Sequence, residues 1–181
     1  MLQLNFTPFP IIKTSRLVLR KLKREDENEV YALRKDEEVN RFLGREKAKS
    51  IDDARSFISK ILTNVATNQG ILWAITLKED DRLIGSIVYY NISAKESRAE
   101  LGYELSPAFQ GKGIMKEAVE AVIQIGFDQF GFESIEGWPT ANNIRSIQLL
   151  EKLNFKMVPD DPRLNDDHNK GMRIYLLKRN G

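Results

Sequence analysis

The sequence contains no cysteine, and this absence removes several kinds of chemistry at once. Disulfide bonds, thiolate metal sites and a cysteine nucleophile that would carry an acyl group are all excluded. A chain without cysteine suits a reducing compartment, so we expect a cytoplasmic protein. Its one histidine, His168, stands among Asp166, Asp167 and Asn169 in a spacing that fits neither an EF-hand nor a histidine zinc site, and we predict no bound metal.

Long apolar runs and an excess of one charge are missing too. No run approaches the roughly 18 apolar residues of a membrane-spanning helix, and the N-terminus lacks the basic start and cleavage site of a signal peptide, so we expect no membrane partner. The 28 Lys and Arg residues nearly balance the 26 Asp and Glu residues, which argues against a nucleic-acid partner. The length suits one domain over residues 1–181, with an irregular lead-in over residues 1–13, present as a monomer or a homodimer.

Local periodicity predicts an α/β protein. Alternating apolar residues indicate strands, and apolar stripes at helical spacing indicate helices. Because the two kinds of element are interspersed without an internal repeat, we expect a mixed sheet with helices on both faces. A turn at 79–81 should join the second and third strands, and a hairpin loop should cover 159–171. The predicted strands are 16–20, 71–78, 82–90, 100–106, 134–138, 155–158 and 172–178, and the predicted helices lie within 25–43, 50–70, 114–130 and 143–153.

The central stretch, residues 100–118, is predicted to form a strand, a glycine turn and the start of a long helix. Gly111 and Gly113 remove side chains where free backbone N–H groups at a helix N-terminus can meet a phosphate, and Lys112 and Lys116 add positive charge. The residues of this turn lack both the third glycine of the dinucleotide-binding fingerprint and the Gly-Lys-Ser/Thr sequence of the P-loop. The residues alone leave two interpretations open, a phosphate-binding turn and a purely structural one.

The hexapeptide Gln110-Gly111-Lys112-Gly113-Ile114-Met115 resembles the Gln/Arg-x-x-Gly-x-Gly/Ala signature with which GNAT-family N-acetyltransferases hold the pyrophosphate of acetyl-coenzyme A. Met115 stands where that signature has its last small residue. The resemblance runs from residue 14 to residue 178. Within the family, the sequence is most similar to the RimJ/RimL-like branch, the ribosomal-protein N-terminal acetyltransferases and their relatives. The resemblance implies the GNAT acyl-coenzyme A N-acyltransferase fold. Four further blocks carry it in family order: 14–20, 83–87, 102–103 and 143–155.

The resemblance also implies a cofactor site and an acid. Acetyl-coenzyme A would be the cosubstrate, and Ser146 of the Asn-x-x-Ser block would protonate the leaving thiolate, because the usual tyrosine of the family is Leu150 here. Ser146 early in a helix also suits backbone hydrogen bonding, and Asn143 also suits an N-cap, so both structural duties stay open. Asn154 replaces the usual glycine after this helix and suits a left-handed cap. The implied cofactor-binding residues are Leu105, Gln110, Gly111, Lys112, Gly113, Ile114, Met115 and Asn143.

Glu100 and Glu104 fall on one face of the central strand and are candidates for the catalytic base. Paired carboxylates can raise the pKa of one member enough for it to accept a proton near neutral pH. Glu100 is similar in position to the catalytic glutamate of GNAT histone acetyltransferases. A solvated strand face is the alternative for both residues.

The expected function is acetyl transfer to a primary amine, with a protein N-terminal α-amine favoured by the resemblance. An α-amine of pKa near 8 costs about 1.4 kcal/mol to deprotonate at neutral pH, whereas a lysine amine of pKa ~10.4 costs about 4.6 kcal/mol. A site with modest acid and base groups therefore suits an α-amine better. The alternatives are a polyamine or antibiotic amine as acceptor, and a non-catalytic acyl-coenzyme A sensor.

Overall fold

Eight strands form one mixed sheet in a computed structural model of the chain, which describes residue 2 and residues 4–179. The sheet order is β1-β2-β3-β4-β5-β6-β8-β7, and all neighbours are antiparallel except β5 and β6, which are parallel. The predicted mixed sheet is confirmed. The strands are β1 Ile12–Lys13, β2 Leu17–Lys21, β3 Ile71–Leu77, β4 Asp80–Ser93, β5 Arg98–Leu105, β6 Ser134–Gly137, β7 Lys156–Met157 and β8 Tyr175–Lys178.

Helices cover both faces of the sheet, as the sequence predicts. One apolar cluster packs α4 and α5 against the sheet around the buried side chains of Trp73 and Tyr89. A second cluster packs α1 and α3 against the other face around Ile58 and Ala74. The helices are α1 Glu27–Lys35, α2 Glu37–Asn40, α3 Ile51–Ala66, α4 Ile114–Asp128 and α5 Ile144–Lys152, with 3-10 turns at Arg24–Asp26, Pro107–Phe109, Pro162–Asn165 and Asp167–Asn169.

Local hydrogen bonds fix where two of these helices begin and end. The Asp53 carboxylate accepts from the backbone N–H of Ser50 at 2.9 Å, which caps the start of α3. After α5, Asn154 adopts the left-handed conformation with φ of +65°. The backbone N–H groups of Asn154 and Phe155 then bond the carbonyls of Glu151 and Leu150, each at 3.0 Å. This is the Schellman arrangement, and the predicted left-handed cap at Asn154 is confirmed.

Two local predictions are wrong in detail. The lead-in is not irregular throughout, because its last two residues form β1 against β2. The β3–β4 turn lies at 78–79 and not at 79–81, since Asp80 already pairs with Leu77, and the Asp81 carboxylate is held by Arg20 and Lys23, each at 2.6 Å. The predicted hairpin loop 159–171 is confirmed, because β7 and β8 pair antiparallel on either side of it, and it contains two 3-10 turns.

The sheet opens between β5 and β6. These strands pair only from Arg98 to Leu101, because β6 ends at Gly137 while β5 continues to Leu105. The Ser106 N–H donates to the Ile84 carbonyl of β4 at 2.8 Å. Since successive N–H groups of a strand point to opposite sides, those of Leu105 and Tyr103 point toward the space that β6 has left. The result is a cleft with backbone groups along one wall.

Candidate active site

The turn between β5 and α4 has the geometry of an anion cradle. Gly111 and Gly113 are both left-handed, with φ of +73° and +74°, and Gly113 is the N-cap of α4. The first backbone bond of α4 runs from the Glu117 N–H to the Gly113 carbonyl at 3.2 Å, so the N–H groups before Glu117 have no helical partner. A β-carbon added at Gly111 would meet no atom within 4 Å, so the space in front of the turn is open. The Met115 side chain packs against the apolar core.

Glu117 fastens this turn to the segment before β2. Its Oε1 accepts from Thr14 Oγ1 at 2.6 Å and from Ser15 Oγ at 2.9 Å, and its Oε2 accepts from Arg16 Nε at 2.7 Å. Burial alone would raise the pKa of Glu117, but these bonds and one from the Arg16 backbone lower it to about 2. Arg16 Nη1 also bonds the Lys112 carbonyl at 2.9 Å. Sequence reasoning missed both Arg16 and Glu117, although Arg16 lies in the matched block 14–20.

The side chains of Gln110 and Lys112 are engaged with the protein. Gln110 Nε2 donates to the Leu105 carbonyl at 2.9 Å, and Gln110 Oε1 accepts from Arg145 Nη1 at 2.7 Å. Lys112 Nζ donates to the Ala108 carbonyl at 2.8 Å. Of the two backbone groups of Leu105, the N–H is therefore the one left open to the cleft.

The helix α5 brings Ser146 to the cleft. The Asn143 side chain caps α5 by accepting from the Ser146 N–H at 3.2 Å, so its structural duty is confirmed. The Ser146 hydroxyl lies 2.7 Å from the hydroxyl of Tyr103 on β5, and either oxygen can be the donor. Burial raises the pKa of Tyr103 to about 12 and the bond to Ser146 partly opposes this, so the phenol stays protonated at neutral pH. Sequence reasoning missed Tyr103 as a site residue, although it belongs to the matched pair 102–103.

The position of the usual family tyrosine is closed. Leu150 is fully buried and lies against Gly137, where an added β-carbon would come within 2.8 Å of Leu150 Cδ1. Leu150 is therefore a packing residue at the end of β6. The hydroxyl chemistry on this side of the cleft comes from Tyr103 and Ser146.

Glu100 and Glu104 lie on the face of β5 that looks toward α1 and α3, because the alternating Leu101 and Leu105 pack into the opposite cluster. Glu104 is 8% exposed, forms an ion pair with Arg45 and accepts from Ser86 Oγ at 3.1 Å. Because these donors occupy both carboxylate oxygens of Glu104, the structure disfavours it as the base.

Glu100 is the better candidate. Its carboxylate is half-buried and accepts from Asn91 Nδ2 at 3.1 Å. Its pKa is raised first by burial and then by the charge of Glu136, against the opposing bond from Asn91. The neighbouring charge is thus that of Glu136 on β6, directly opposite in register, and not that of Glu104 as the strand pattern suggested.

Glu136 itself is held by three donors. Its 3% exposed carboxylate accepts from Arg98 at 2.8 Å, from Arg163 at 2.8 and 2.9 Å, and from Trp138 Nε1 at 3.0 Å. The Arg163 guanidinium also lies over the Trp138 ring, 4.9 Å from its centroid. These contacts tie the loop between β7 and β8 to the floor of the cleft.

Among residue 2 and residues 4–179, no helix combines the length and apolar character needed to cross a membrane. Over the same range, no group of three or more His, Asp or Glu side chains is arranged to hold a metal ion. His168 sits in a 3-10 turn, where its backbone N–H donates to the Asp166 side chain at 3.0 Å.

Comparison with known proteins identifies the class. The sequence model of the Acetyltransferase (GNAT) domain family matches residues 16–156. The uncharacterized N-acetyltransferase YoaA of Bacillus subtilis (strain 168) is 33% identical over 148 residues, which cover 82% of this chain and 84% of YoaA. The family match and this relative therefore define an N-acetyltransferase, and the chain belongs to the GNAT acetyltransferase domain family.

Solved structures share the fold. A putative ribosomal-protein-serine acetyltransferase from Vibrio cholerae superposes with a TM-score of 0.81 at 20% identity, covering 96% of this chain and 99% of that one. RimL, a ribosomal L7/L12 α-N-protein acetyltransferase in complex with coenzyme A, superposes with a TM-score of 0.81 at 15% identity, covering 93% and 98%. At these identities the likeness establishes the GNAT fold that the sequence predicts.

Proposed function

We propose that this N-acetyltransferase transfers the acetyl group of acetyl-coenzyme A to the α-amine of a protein N-terminus, by direct attack within a ternary complex. The observation that carries the proposal is the cleft between β5 and β6, with free backbone N–H groups and a hydroxyl pair along its walls and a carboxylate of raised pKa on its floor. The structural likeness to RimL, which binds coenzyme A, supports the choice of cosubstrate.

The residues present fit acetyl-coenzyme A. The glycine turn 110–115 would hold the pyrophosphate through the N–H groups at the start of α4. The N–H groups of Tyr103 and Leu105 would bind the pantetheine arm and the acetyl carbonyl, as strand N–H groups without a ladder partner. When bound, acetyl-coenzyme A supplies a thioester whose acetyl carbon accepts the amine.

Glu100 would take the proton from the incoming ammonium group. Its raised pKa brings it closer to the operating pH, which improves a general base. Asn91 holds the carboxylate in place through its bond to Oε2. An α-amine needs only a modest base because its own pKa lies about one unit above neutral pH.

Ser146 would deliver its hydroxyl proton to the departing sulfur and regain a proton from solvent in the cleft, with Tyr103 as the residue that positions it. If Tyr103 donates to Ser146 Oγ, the serine proton is free to point into the cleft. A thiol of pKa near 8.5 leaves as a weakly basic anion, so a hydroxyl donor that hydrogen-bonds to it is sufficient. Asn143 fixes the height of Ser146 in the cleft by capping α5.

Two measurements test the proposal. Titration calorimetry should show coenzyme A binding, and a thiol-release assay with acetyl-coenzyme A should show turnover with peptides that have a free N-terminus. N-terminally blocked copies of the same peptides are the matched control and should be inert. Turnover with polyamines or aminoglycosides but not with peptides would replace the acceptor, and binding without thiol release over the whole panel would indicate an acyl-coenzyme A sensor.

A further inference from the structure

Beside the cleft, one half-buried arginine makes no hydrogen bond or ion pair through its guanidinium with any residue that the structure describes. The guanidinium of Arg34, at the end of α1, lies over the Phe57 ring at 4.0 Å from the centroid. Burial lowers the pKa of Arg34, and the positive charge of nearby Arg45 lowers it further, while Glu104 and Asp53 act in the opposite sense only through their charge. Within residue 2 and residues 4–179, no hydrogen bond or ion pair engages this guanidinium.

Both nearby carboxylates are already committed. Glu104 is paired with Arg45 and bonded by Ser86. Asp53 accepts from the backbone N–H groups of Lys49 and Ser50 at 2.7 and 2.9 Å. The N–H donors of Arg34 are thus available to an external acceptor.

Arg45, whose charge acts on Arg34, is held by a hydrogen bond to Asn40 and an ion pair with Glu104. Arg45 Nε donates to Asn40 Oδ1 at 2.7 Å, and the Asn40 amide nitrogen is anchored in turn on the carbonyls of residues 33, 34 and 36 at 2.6 to 3.1 Å. Arg34 is held by stacking on Phe57 and Arg45 by this network. Because the Glu104 carboxylate is bonded by Arg45 and Ser86, the guanidinium donors of Arg34 stay open beside it. Guanidinium groups fixed in this way are suited to bind a carboxylate or phosphate.

The position of Arg34 and Arg45 relative to the cleft indicates which ligand they would contact. Glu104 directly precedes Leu105 at the end of β5, on the α1 and α3 face that also carries Glu100. The predicted phosphate turn lies further along the chain at the N-terminus of α4. The two arginines are therefore on the side from which an acceptor amine would reach Glu100.

We propose that Arg34 and Arg45 form a subsite for an anionic group of the acceptor, so that the enzyme prefers an acidic peptide N-terminus. This inference rests on the proposed function. An acceptor with an amine at Glu100 and a carboxylate at the arginines satisfies both charges. Polyamines and aminoglycosides, which carry several positive charges, would be repelled at the same place.

The test is a set of three peptides that share an N-terminal residue and differ only in acidic, neutral or basic side chains at positions 2–4. We expect kcat/KM for the acidic peptide to exceed that for the basic peptide by at least about fivefold at low ionic strength, mainly through KM. Arg34→Met, which keeps an apolar stem over Phe57, should bring that ratio close to one, and Arg34→Lys should restore part of it. Lys60→Met, which removes an exposed cation from α3, is the control and should leave the ratio unchanged.

The outcomes separate this inference from the proposed function. Equal turnover of the three peptides by the unmodified protein would overturn the inference and leave the α-amine assignment standing, whereas no turnover of any peptide would overturn both. If Arg34→Met weakens coenzyme A binding in calorimetry but keeps the peptide preference, the anion is a cofactor phosphate and the acceptor subsite is wrong. Should Arg34→Met fail to fold, the kcat/KM ratio of the acidic and basic peptides is compared between Arg34→Gln and the unmodified protein, and that comparison decides the question.

Discussion

Replacing Tyr103 by Phe removes one hydroxyl from the proposed proton route and leaves the ring in place. The lost contact is the 2.7 Å bond to Ser146 Oγ. A neutral hydrogen bond of this kind contributes about 0.5–1.5 kcal/mol, so the free energy of unfolding should fall by no more than that amount. If the same bond orients the Ser146 proton in the transition state, kcat should fall by roughly three- to tenfold.

The double-mutant cycle with Ser146 decides the mechanism. Ser146→Ala should lower kcat by roughly 10²-fold or more, the scale of general acid catalysis, with little change in coenzyme A affinity. Because Tyr103 acts only through Ser146, Tyr103→Phe should have no further effect in the Ser146→Ala background, which corresponds to a coupling of about 1 kcal/mol. Single-turnover measurements at several pH values should show both defects wherever thiolate departure limits the rate.

A matched control is Tyr31→Phe, since the Tyr31 hydroxyl makes only a long exposed bond of 3.4 Å to the Lys49 carbonyl. That variant should keep full activity. Multiplicative effects of Tyr103→Phe and Ser146→Ala would show that the two hydroxyls act independently. Near-normal turnover of Ser146→Ala would show that water or another group protonates the sulfur, and the assignment of Ser146 as the acid would be wrong.

Three other perturbations have definite outcomes. Gly113→Glu should weaken coenzyme A binding at least about tenfold in calorimetry, by its charge and by filling the turn. Gly113→Ala, which bears the same left-handed backbone strain without the charge, should lose much less affinity. If both variants bound coenzyme A as tightly as the unmodified protein, the phosphates would lie elsewhere. Glu100→Gln should slow turnover most near neutral pH and be partly rescued by raising the pH toward 9, where an α-amine is largely deprotonated, and a defect independent of pH would exclude a role as base. Because burial raises the pKa of the Glu100 carboxyl, its ionised form does not stabilise the fold at neutral pH, so the melting temperature of the variant should not fall. Glu117→Gln should lower the free energy of unfolding at pH 7 by about 1–2 kcal/mol. Since the pKa of Glu117 is lowered to about 2, this contribution is full above the unfolded pKa of about 4.3 and is lost as the pH falls toward about 2. The melting curves of the two proteins should therefore converge over that window, and a gap that stays constant down to pH 2.5 would contradict the hydrogen-bonded carboxylate.

Local patterns were sufficient to predict the elements around the cleft. Alternation located β5, glycine spacing located the turn, and Asn154 signalled its left-handed cap, because each depends on residues close in sequence. The short strand β1 was missed because two residues give no period, and the β3–β4 turn was displaced because Asp81 is held by the distant Arg20 and Lys23.

Side-chain partners across the cleft could not be predicted from the sequence. Tyr103 and Ser146 are 43 residues apart, and Arg45 and Glu104 are 59 residues apart. No local period encodes such pairs, since they arise only when the sheet places β5 beside α5 and beside the segment after α2. The same reason explains why Glu100 and Glu104 looked equivalent in the sequence, although Glu104 is paired with Arg45 and Glu100 lies opposite Glu136.

The most direct test of the central claim is tandem mass spectrometry of a peptide with a free N-terminus and one internal lysine, incubated with the protein and acetyl-coenzyme A. The account predicts thiol release in equal amount to acetyl-peptide, with the acetyl group on the N-terminal nitrogen and the lysine unmodified. Acetylation of the lysine alone, or no acetylation by a protein that binds coenzyme A, would contradict it.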